Sequence, residues 1–241
     1  MTRRSLQSTI STVRDIVKHL EEHGSPEHAA GVRWFFKEDV QSHGWYTAEL
    51  RRYARALHAQ LAADQAVLLD VAERLFGSPV LEEKALAVIV LQPSLRRFGS
   101  AEFRRFERWL GRVLSWADHD ALAMCLIGPM LVADPGRVKR PLRWASSPSR
   151  WRRRAAAVSL IHGIRKGLFE EEAIAVTERL LADRDDMVQK GLGWLLREWA
   201  KHDPKAAVPV LMAVSDRASR LVLRTACETL TPALRKRVLA K

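Results

Sequence analysis

Helical periodicity runs through almost the whole sequence, and this feature most constrains the fold. Apolar residues recur at three- and four-residue steps, and no run alternates apolar with polar residues. Ser or Asp before Pro predicts helix starts, because the side chain caps free N–H groups and proline fits the first turn. These starts are Ser25–Pro26, Ser78–Pro79, Asp134–Pro135 and Asp203–Pro204, and Ser100 is predicted to cap another helix. The pattern predicts an all-α protein.

Short turns separate the periodic segments, as in proteins that stack helical pairs. The predicted helices cover residues 5–22, 27–41, 48–62, 65–76, 81–91, 101–114, 118–132, 136–144, 149–166, 170–182, 185–202, 205–215 and 217–230. No strict sequence repeat is visible, so we expect degenerate, HEAT-like helical repeats. We expect them to form a single domain over residues 1–241, a curved α-solenoid with a basic concave face. A compact irregular bundle is the alternative.

The charge balance points to a polyanionic partner. Lys and Arg number 40 against 28 Asp and Glu, which gives a formal net charge of +12. A charge of this size indicates nucleic acid or an anionic membrane surface. The alternative is a charge that only keeps the protein in solution, and the distribution of the basic residues must decide.

Several classes of protein are disfavoured by the same sequence. Two cysteines, Cys125 and Cys227, are too few for a disulfide framework or a structural zinc site. The N-terminal stretch lacks the apolar core of a secretory signal, and the apolar run at residues 85–91 is too short to span a bilayer. We therefore expect a cytoplasmic protein without a structural metal site or a membrane-spanning segment.

Basic residues concentrate between residues 137 and 166, interleaved with Trp144 and Trp151. The densest part is "RWRRRAAAV", where four arginines surround Trp151 and no acid is adjacent in sequence: Arg150, Arg152, Arg153 and Arg154. A local excess of this kind favours a nucleic-acid surface over general solubilisation.

The segment 185–202 carries a second basic stripe beside its apolar face. Lys190, Trp194, Arg197 and Lys201 follow one another at steps of four, three and four residues. One interpretation is a functional surface with an aromatic centre. The other is a half-buried Trp194 against a neighbouring helix, with the cations extending around it.

The segment "SWADHDALAM", residues 115–124, places Trp116 and Asp120 four residues apart, on one helical face. We predict that Asp118 is the N-cap of the helix and that Asp120 lies in its first turn. Asp118 and His119 are expected to point away from the face that Trp116 and Asp120 share.

Three motifs in this order resemble one known family: "SWADHDALA", "RWASSPSRWRRRAAAV" and "DDMVQKGLGWLLREWAKHDP". They are similar to the AlkD-type DNA alkylation-repair proteins, which are HEAT-like-repeat alkylpurine DNA glycosylases. "WFFKEDVQSHGWYTAELRRYAR", residues 34–55, also resembles the N-terminal pattern of that family, including Lys37. The resemblance covers most of the chain, and Ala117 and His119 differ from the family pattern.

The resemblance implies an activity and a site. Trp116 and Trp194 would flank the damaged nucleotide, Asp120 would face the deoxyribose, and Arg154 would be the site arginine. The implied function is monofunctional hydrolysis of the N-glycosidic bond of cationic N3- or N7-alkylated purines in double-stranded DNA. The protein would act as a monomer without metal or cofactor, and it would associate with the nucleoid when bound to DNA. In this family the lesion stays in the duplex instead of entering a deep base-flipping pocket.

Two other functions are open at this point. A non-catalytic HEAT-like protein that binds DNA structure would carry the same basic face. A helical-repeat scaffold for protein partners would lack duplex binding that depends steeply on salt.

Overall fold

The computed structural model describes residues 3–240. Over this range the chain is built from α-helices. Their bounds are α1 Arg3–Glu22, α2 Pro26–Phe35, α3 Thr47–Leu61, α4 Gln65–Phe76, α5 Leu81–Leu91, α6 Ser100–Trp109, α7 Trp116–Leu122, α8 Gly128–Ala133, α9 Lys139–Trp144, α10 Arg150–Val158, α11 Ile161–Ile164, α12 Glu170–Leu180, α13 Asp186–His202, α14 Pro204–Val214, α15 Arg220–Ala226 and α16 Pro232–Leu239.

Shorter elements connect some of these helices. The segments Gln92–Arg97 and Pro135–Val138 are 3₁₀ helices, and Ala123–Ile127 is a π-helical turn. Within residues 3–240 no β-strand is formed, and one isolated parallel bridge joins Gln41 to Val80. The prediction of an all-α fold is confirmed.

The chain divides into two compact units, Met1–Leu126 and Ile127–Lys241. In the first unit α5 is central and packs against α1, α3, α4 and α7. Leu86, Val88 and Leu91 of α5 are fully buried. Burial of such side chains contributes about 1.5–3 kcal/mol each relative to exposure, so α5 anchors the unit that carries α7.

In the second unit α13 is central and contacts α10, α14 and α15. Two glycines of this helix allow close approach of its neighbours. A Cβ atom at Gly193 would lie 2.8 Å from Cβ of Thr225 on α15. A Cβ atom at Gly191 would lie 3.0 Å from Cγ of Arg154 on α10. The "GLG" of the sequence is therefore a packing feature of this unit.

The predicted helix 27–41 is too long by six residues, because α2 ends at Phe35. The following segment, residues 36–46, is not helical, and the buried carboxylate of Glu82 binds its far end. Glu82 accepts hydrogen bonds from the backbone N–H groups of His43, Gly44 and Trp45, at 2.9, 3.1 and 3.3 Å. Such a partner lies about forty residues away, so the helical period of the sequence does not reveal it.

Helix starts were predicted with mixed success. Ser25 and Asp203 cap α2 and α14 as expected, and Asp134 caps a 3₁₀ helix. Ser78 and Ser100 do not act as caps: Val80 precedes α5, and Ser100 is already the first residue of α6. The predicted helix 149–166 is split into α10 and α11, and α16 was not predicted at all.

The predicted helix 118–132 begins two residues earlier and is not regular. After α7 the chain widens into the π-helical turn Ala123–Ile127 before α8. Pro129 has no backbone N–H, and its ring crowds the carbonyl four residues earlier, so a regular α-helix is disfavoured here. No helix of residues 3–240 has the length and apolar character needed to cross a bilayer.

Candidate active site

The start of α7 is organised by Asp118, which is not the N-cap that was predicted. Ser115 is the N-cap, and Asp118 is the third residue of the helix. Its Oδ1 accepts from the backbone N–H and the hydroxyl of Ser115, at 2.7 and 2.6 Å, and its Oδ2 accepts from Leu114 N–H at 2.9 Å. Asp118 thus reaches back to fix the entry of the chain into α7.

Asp118 also faces a buried lysine. Nζ of Lys84 lies 3.9 Å from Oδ2 of Asp118, and both side chains are almost completely buried. Lys84 donates to the carbonyls of Phe76 and Arg112, at 2.7 and 2.8 Å. Burial lowers the pKa of Lys84, and the charge of Asp118 opposes that change. These contacts hold α7 against α5, so the role of Asp118 and Lys84 is structural.

Trp116 is the first residue of α7 and belongs to an aromatic cluster. Its ring stacks on Phe36, with centroids 5.2 Å apart and planes 16° apart, and it meets the edge of Phe35 at 6.1 Å. Phe35 is 65% exposed, and the adjacent Trp34 is 89% exposed. Apolar surface is costly to leave in water, and exposed aromatic patches are typical of binding surfaces.

Asp120 lies one turn after Trp116 on α7, as the spacing predicted. Its side chain retains 16% exposure, and Oδ1 lies 2.6 Å from Nδ1 of His119. The His119 ring is completely buried. His119 was predicted to point elsewhere, and that prediction is wrong, because its ring contacts the Asp120 carboxylate. The side chains of these two adjacent residues are therefore in direct polar contact.

The arginines at the start of α10 have acidic partners that the sequence did not reveal. Arg153 pairs with Asp183, Nε to Oδ2 at 2.5 Å, and donates to the carbonyls of Ser147 and Pro148. Nε of Arg150 lies 3.5 Å from Oδ2 of Asp185. Although no acid is adjacent to these arginines in sequence, the connection between α12 and α13 supplies two carboxylates, Asp183 and Asp185.

The remaining residues of this segment differ in exposure. The Arg150 side chain is 40% exposed, and its guanidinium lies 4.8 Å from the centroid of the Trp151 ring. Trp151 and Arg152 are half-buried. Arg154 is buried, with 5% exposure, and Nη1 donates to the carbonyl of Met187 at the start of α13. Arg154 therefore joins α10 to α13. It packs beside Gly191, which is three residues before Trp194 on the same helix.

Trp194 is half-buried, as the second interpretation of its stripe predicted, and it has a polar partner. Its Nε1 donates to Oε1 of Glu198 at 3.1 Å. Glu198 also accepts from Arg165 at 2.9 Å and from Arg197 at 3.4 Å. Burial by itself would raise the pKa of Glu198, but Arg165, with Trp194 and Arg197, lowers it below its ordinary value.

The cations of the α13 stripe are therefore not equivalent. Arg197 is bound within the fold, since it also pairs with Glu228 at 2.7 Å. Lys190 pairs with Asp186 one turn earlier, at 3.1 Å, with 42% of its side chain exposed. Lys201 is exposed, as is Lys37 in the first unit. The exposed lysines are available to a polyanion, whereas Arg197 orients the carboxylate beside Trp194.

Each unit gathers part of the predicted site. The first unit brings together Trp116 and Asp120, and the second brings Arg154 onto α13, the helix of Trp194. Sequence reasoning missed Glu198 and the contact of His119 with Asp120. A signal existed for Glu198, because it follows Trp194 by four residues. No group of three or more metal-binding side chains occurs in the part of the chain that the structure describes.

Comparison with known proteins gives a consistent result. The model of the DNA alkylation repair enzyme family matches residues 16–230. A solved structure, "Predicted DNA alkylation repair enzyme from Enterococcus faecalis", superposes with a TM-score of 0.79 at 17% identity, over 87% of this chain and 97% of that chain. No curated protein matches significantly. The structural likeness confirms the predicted fold class of stacked helical repeats.

Proposed function

This chain belongs to the DNA alkylation repair enzyme family, and from that premise we propose that it is a monofunctional alkylpurine DNA glycosylase. Its substrate would be duplex DNA that contains cationic purines alkylated at N3 or N7, and it would act as a monomer without a metal or cofactor. The observation that carries the proposal is the pair formed by Trp116 and Asp120, with an accessible carboxylate one turn from a stacked indole.

The chemistry of the substrate requires only one catalytic carboxylate. A purine alkylated at N3 or N7 is positively charged, so it leaves as a neutral base and needs little general-acid assistance. Rupture of its N-glycosidic bond builds positive charge on the sugar. A fixed carboxylate stabilises that charge and can orient water for attack, as carboxylates do in glycoside hydrolysis. We assign this role to Asp120.

The indoles fit the same substrate. An aromatic face attracts a cationic base or sugar by about 0.5–2 kcal/mol, depending on how far water is excluded. Trp116 is held in orientation by its stack on Phe36. Trp194 is held by the hydrogen bond from its Nε1 to Glu198. The proposed catalytic residues, Asp120, Trp116 and Trp194, include no lysine that would form a Schiff base with the sugar, which favours base release without strand cleavage.

DNA binding is assigned to the exposed cations and to the aromatic patch. Lys37, Lys190 and Lys201 are proposed to contact phosphates, and so is Arg150, whose side chain is 40% exposed. Arg152 and Trp151, which are half-buried, lie beside Arg150 on α10 and are proposed to belong to the basic surface of the second unit. Arg153 and Arg154 make intramolecular hydrogen bonds, so we propose that they shape the surface and that their positive charge adds to its potential.

The test is release of the base from a defined substrate. Duplex DNA treated with a methylating agent is incubated with excess protein, and free 7-methylguanine and 3-methyladenine are measured over time. The same samples are run on a denaturing gel with and without alkali. We expect free base in every sample and strand breaks only after alkali treatment.

The Asp120→Asn variant identifies the carboxylate. We expect excision to fall by about 10²–10³, on the order of 3–4 kcal/mol, which is typical of the loss of one main electrostatic stabiliser. Duplex binding should persist or strengthen, because one repulsion with phosphate is removed. Binding by the unmodified protein without any base release would contradict the proposal and support a non-catalytic binder of DNA structure.

A further inference from the structure

His119 is a buried polar residue to which neither the predicted site nor the proposed mechanism gives a role. Its ring is completely enclosed, with 0% exposure of the side chain. A buried polar ring is costly unless its nitrogens have hydrogen-bond partners. One partner of the ring is the carboxylate to which the proposed function assigns catalysis, Asp120.

The contact between the two side chains is short and directional. Nδ1 of His119 lies 2.6 Å from Oδ1 of Asp120. An ionised carboxylate can only accept hydrogen bonds, so with Asp120 ionised the shared hydrogen belongs to Nδ1. Hydrogen bonds to an ionised group are roughly twice as strong as neutral ones, and a buried donor has little competition from water.

This bond restricts how the carboxylate can move. A free aspartate on a helix rotates about both of its side-chain bonds. In this chain one oxygen is held by a ring that is itself enclosed, and the carboxyl group still keeps 16% exposure. The backbone changes pattern just beyond this pair: Ala123 N–H bonds to the carbonyls of both His119 and Asp120, and the π-helical turn begins there. Such π-turns occur often at functional sites.

We propose that His119 is a positioning residue, which holds the Asp120 carboxylate in the orientation that stabilises positive charge on the deoxyribose. This inference rests on the proposed glycosylase function. Electrostatic stabilisation depends on a group that is oriented before the reaction, and a misplacement by about 1 Å can cost on the order of 10²-fold in rate. His119 acts through Asp120 and does not itself contact the substrate.

The experiment compares two substitutions at His119. His119→Leu keeps an apolar body and removes the donor, whereas His119→Asn retains an N–H donor near the position of Nδ1. Single-turnover release of 7-methylguanine from a duplex is measured at saturating protein, together with duplex affinity. We expect His119→Leu to lower the maximal rate by about 10- to 100-fold with little change in affinity, by the cost of misplacement. His119→Asn should recover a substantial part of that rate.

A double-mutant cycle with Asp120→Asn separates positioning from general damage. If His119 acts through Asp120, His119→Leu should cost almost nothing once the carboxylate has been replaced, because residues that act as a unit are not additive. Leu122→Ala is the matched control, since Leu122 is a fully buried residue of the same helix. Its effect on the rate should be the same with or without Asp120→Asn.

Each outcome bears on the inference. Additive losses for His119→Leu and Asp120→Asn, or a His119→Leu variant with an unchanged rate, would overturn it while the parent protein still excises base. A parent protein that releases no base would end the proposed function and this inference with it. If His119→Leu melts below the assay temperature, His119→Phe, which keeps a ring without the donor, takes its place in the same cycle.

Discussion

Replacing Asp118 by asparagine keeps the volume of the side chain and removes its charge. In the structure both carboxylate oxygens of Asp118 accept hydrogen bonds. Oδ1 accepts two hydrogen bonds from Ser115, and Oδ2 accepts one from Leu114 N–H. An asparagine has a single acceptor oxygen, so its NH₂ group would face the backbone N–H of Leu114 or Ser115, and two donors would then meet. The substitution also leaves Lys84, which is only 2% exposed, without a charge partner at 3.9 Å.

The magnitude follows from these two losses. A hydrogen bond to a charged acceptor contributes about 1.5–3 kcal/mol. Removing one partner of a buried ion pair typically costs about 3–5 kcal/mol, because the remaining charge is left uncompensated. The two figures overlap, since the same carboxylate supplies both interactions. We therefore expect a loss of about 3–5 kcal/mol in the free energy of unfolding, or roughly 6–20 °C in Tm for a chain of this length.

Urea and thermal unfolding, followed by far-UV circular dichroism, measure this change. Asp64→Asn is the matched control, because Asp64 is an exposed N-cap that accepts from Ala66 and Val67 N–H. Asparagine caps a helix as well as aspartate does, so this control should lose less than about 0.5 kcal/mol. Lys84→Met combined with Asp118→Asn should recover part of the loss, since no unpaired charge then remains.

The result that would refute this reasoning is a small effect. If Asp118→Asn loses no more than the roughly 1 kcal/mol expected of a helix cap, the buried cluster with Lys84 does not hold α7 in place. Asp120→Asn gives the opposite pattern, with a large loss of excision and a loss of Tm clearly smaller than that of Asp118→Asn, because the asparagine oxygen can still accept from His119. A loss of excision without a loss of stability in Asp118→Asn would mean that the catalytic carboxylate has been assigned to the wrong residue.

Three further predictions concern binding, the second indole and pH. If six to ten phosphates are contacted, duplex affinity measured by fluorescence anisotropy should fall about 10³–10⁵-fold between 50 and 200 mM salt. Arg150→Ala should make this dependence of affinity on salt less steep. Arg153→Ala, which breaks an ion pair, should mainly lower Tm. Trp194→Ala should reduce excision with only a modest loss of stability. Trp199→Ala is the comparison, because loss of its fully buried indole costs about 3–5 kcal/mol. Equal losses of stability in the two variants would show that Trp194 is a core residue. A hydrogen bond to Glu83 raises the pKa of His43 above its ordinary value of 6.5. The contribution of this pair to the free energy of unfolding is therefore fully present below pH 6.5 and is lost as pH rises through the raised pKa. His43→Gln should flatten the dependence of Tm on pH above pH 6.5, and an unchanged slope would contradict the assignment.

Local patterns in the sequence were sufficient for most of the helices. The bounds of α4 and α5 were predicted to the residue, because helical period and capping act over three or four residues. The Thr231–Pro232 pair carries the same start signal for α16, which was overlooked although Thr231 caps that helix. The spacing of Trp116 and Asp120 predicted that they share one helical face, although the predicted helix began only at residue 118.

Other features depend on residues that are far apart in the chain. The non-helical segment after α2 is bound by Glu82, and Arg153 and Arg150 of α10 pair with Asp183 and Asp185. Ion pairs and buried hydrogen bonds join whatever the packing of helices brings within about 3 Å, and helical period carries no record of such partners. The sequence alone determined the helices, the family resemblance and the residue types of the site. Only the tertiary structure decided which cations are bound internally and which carboxylate of α7 is structural.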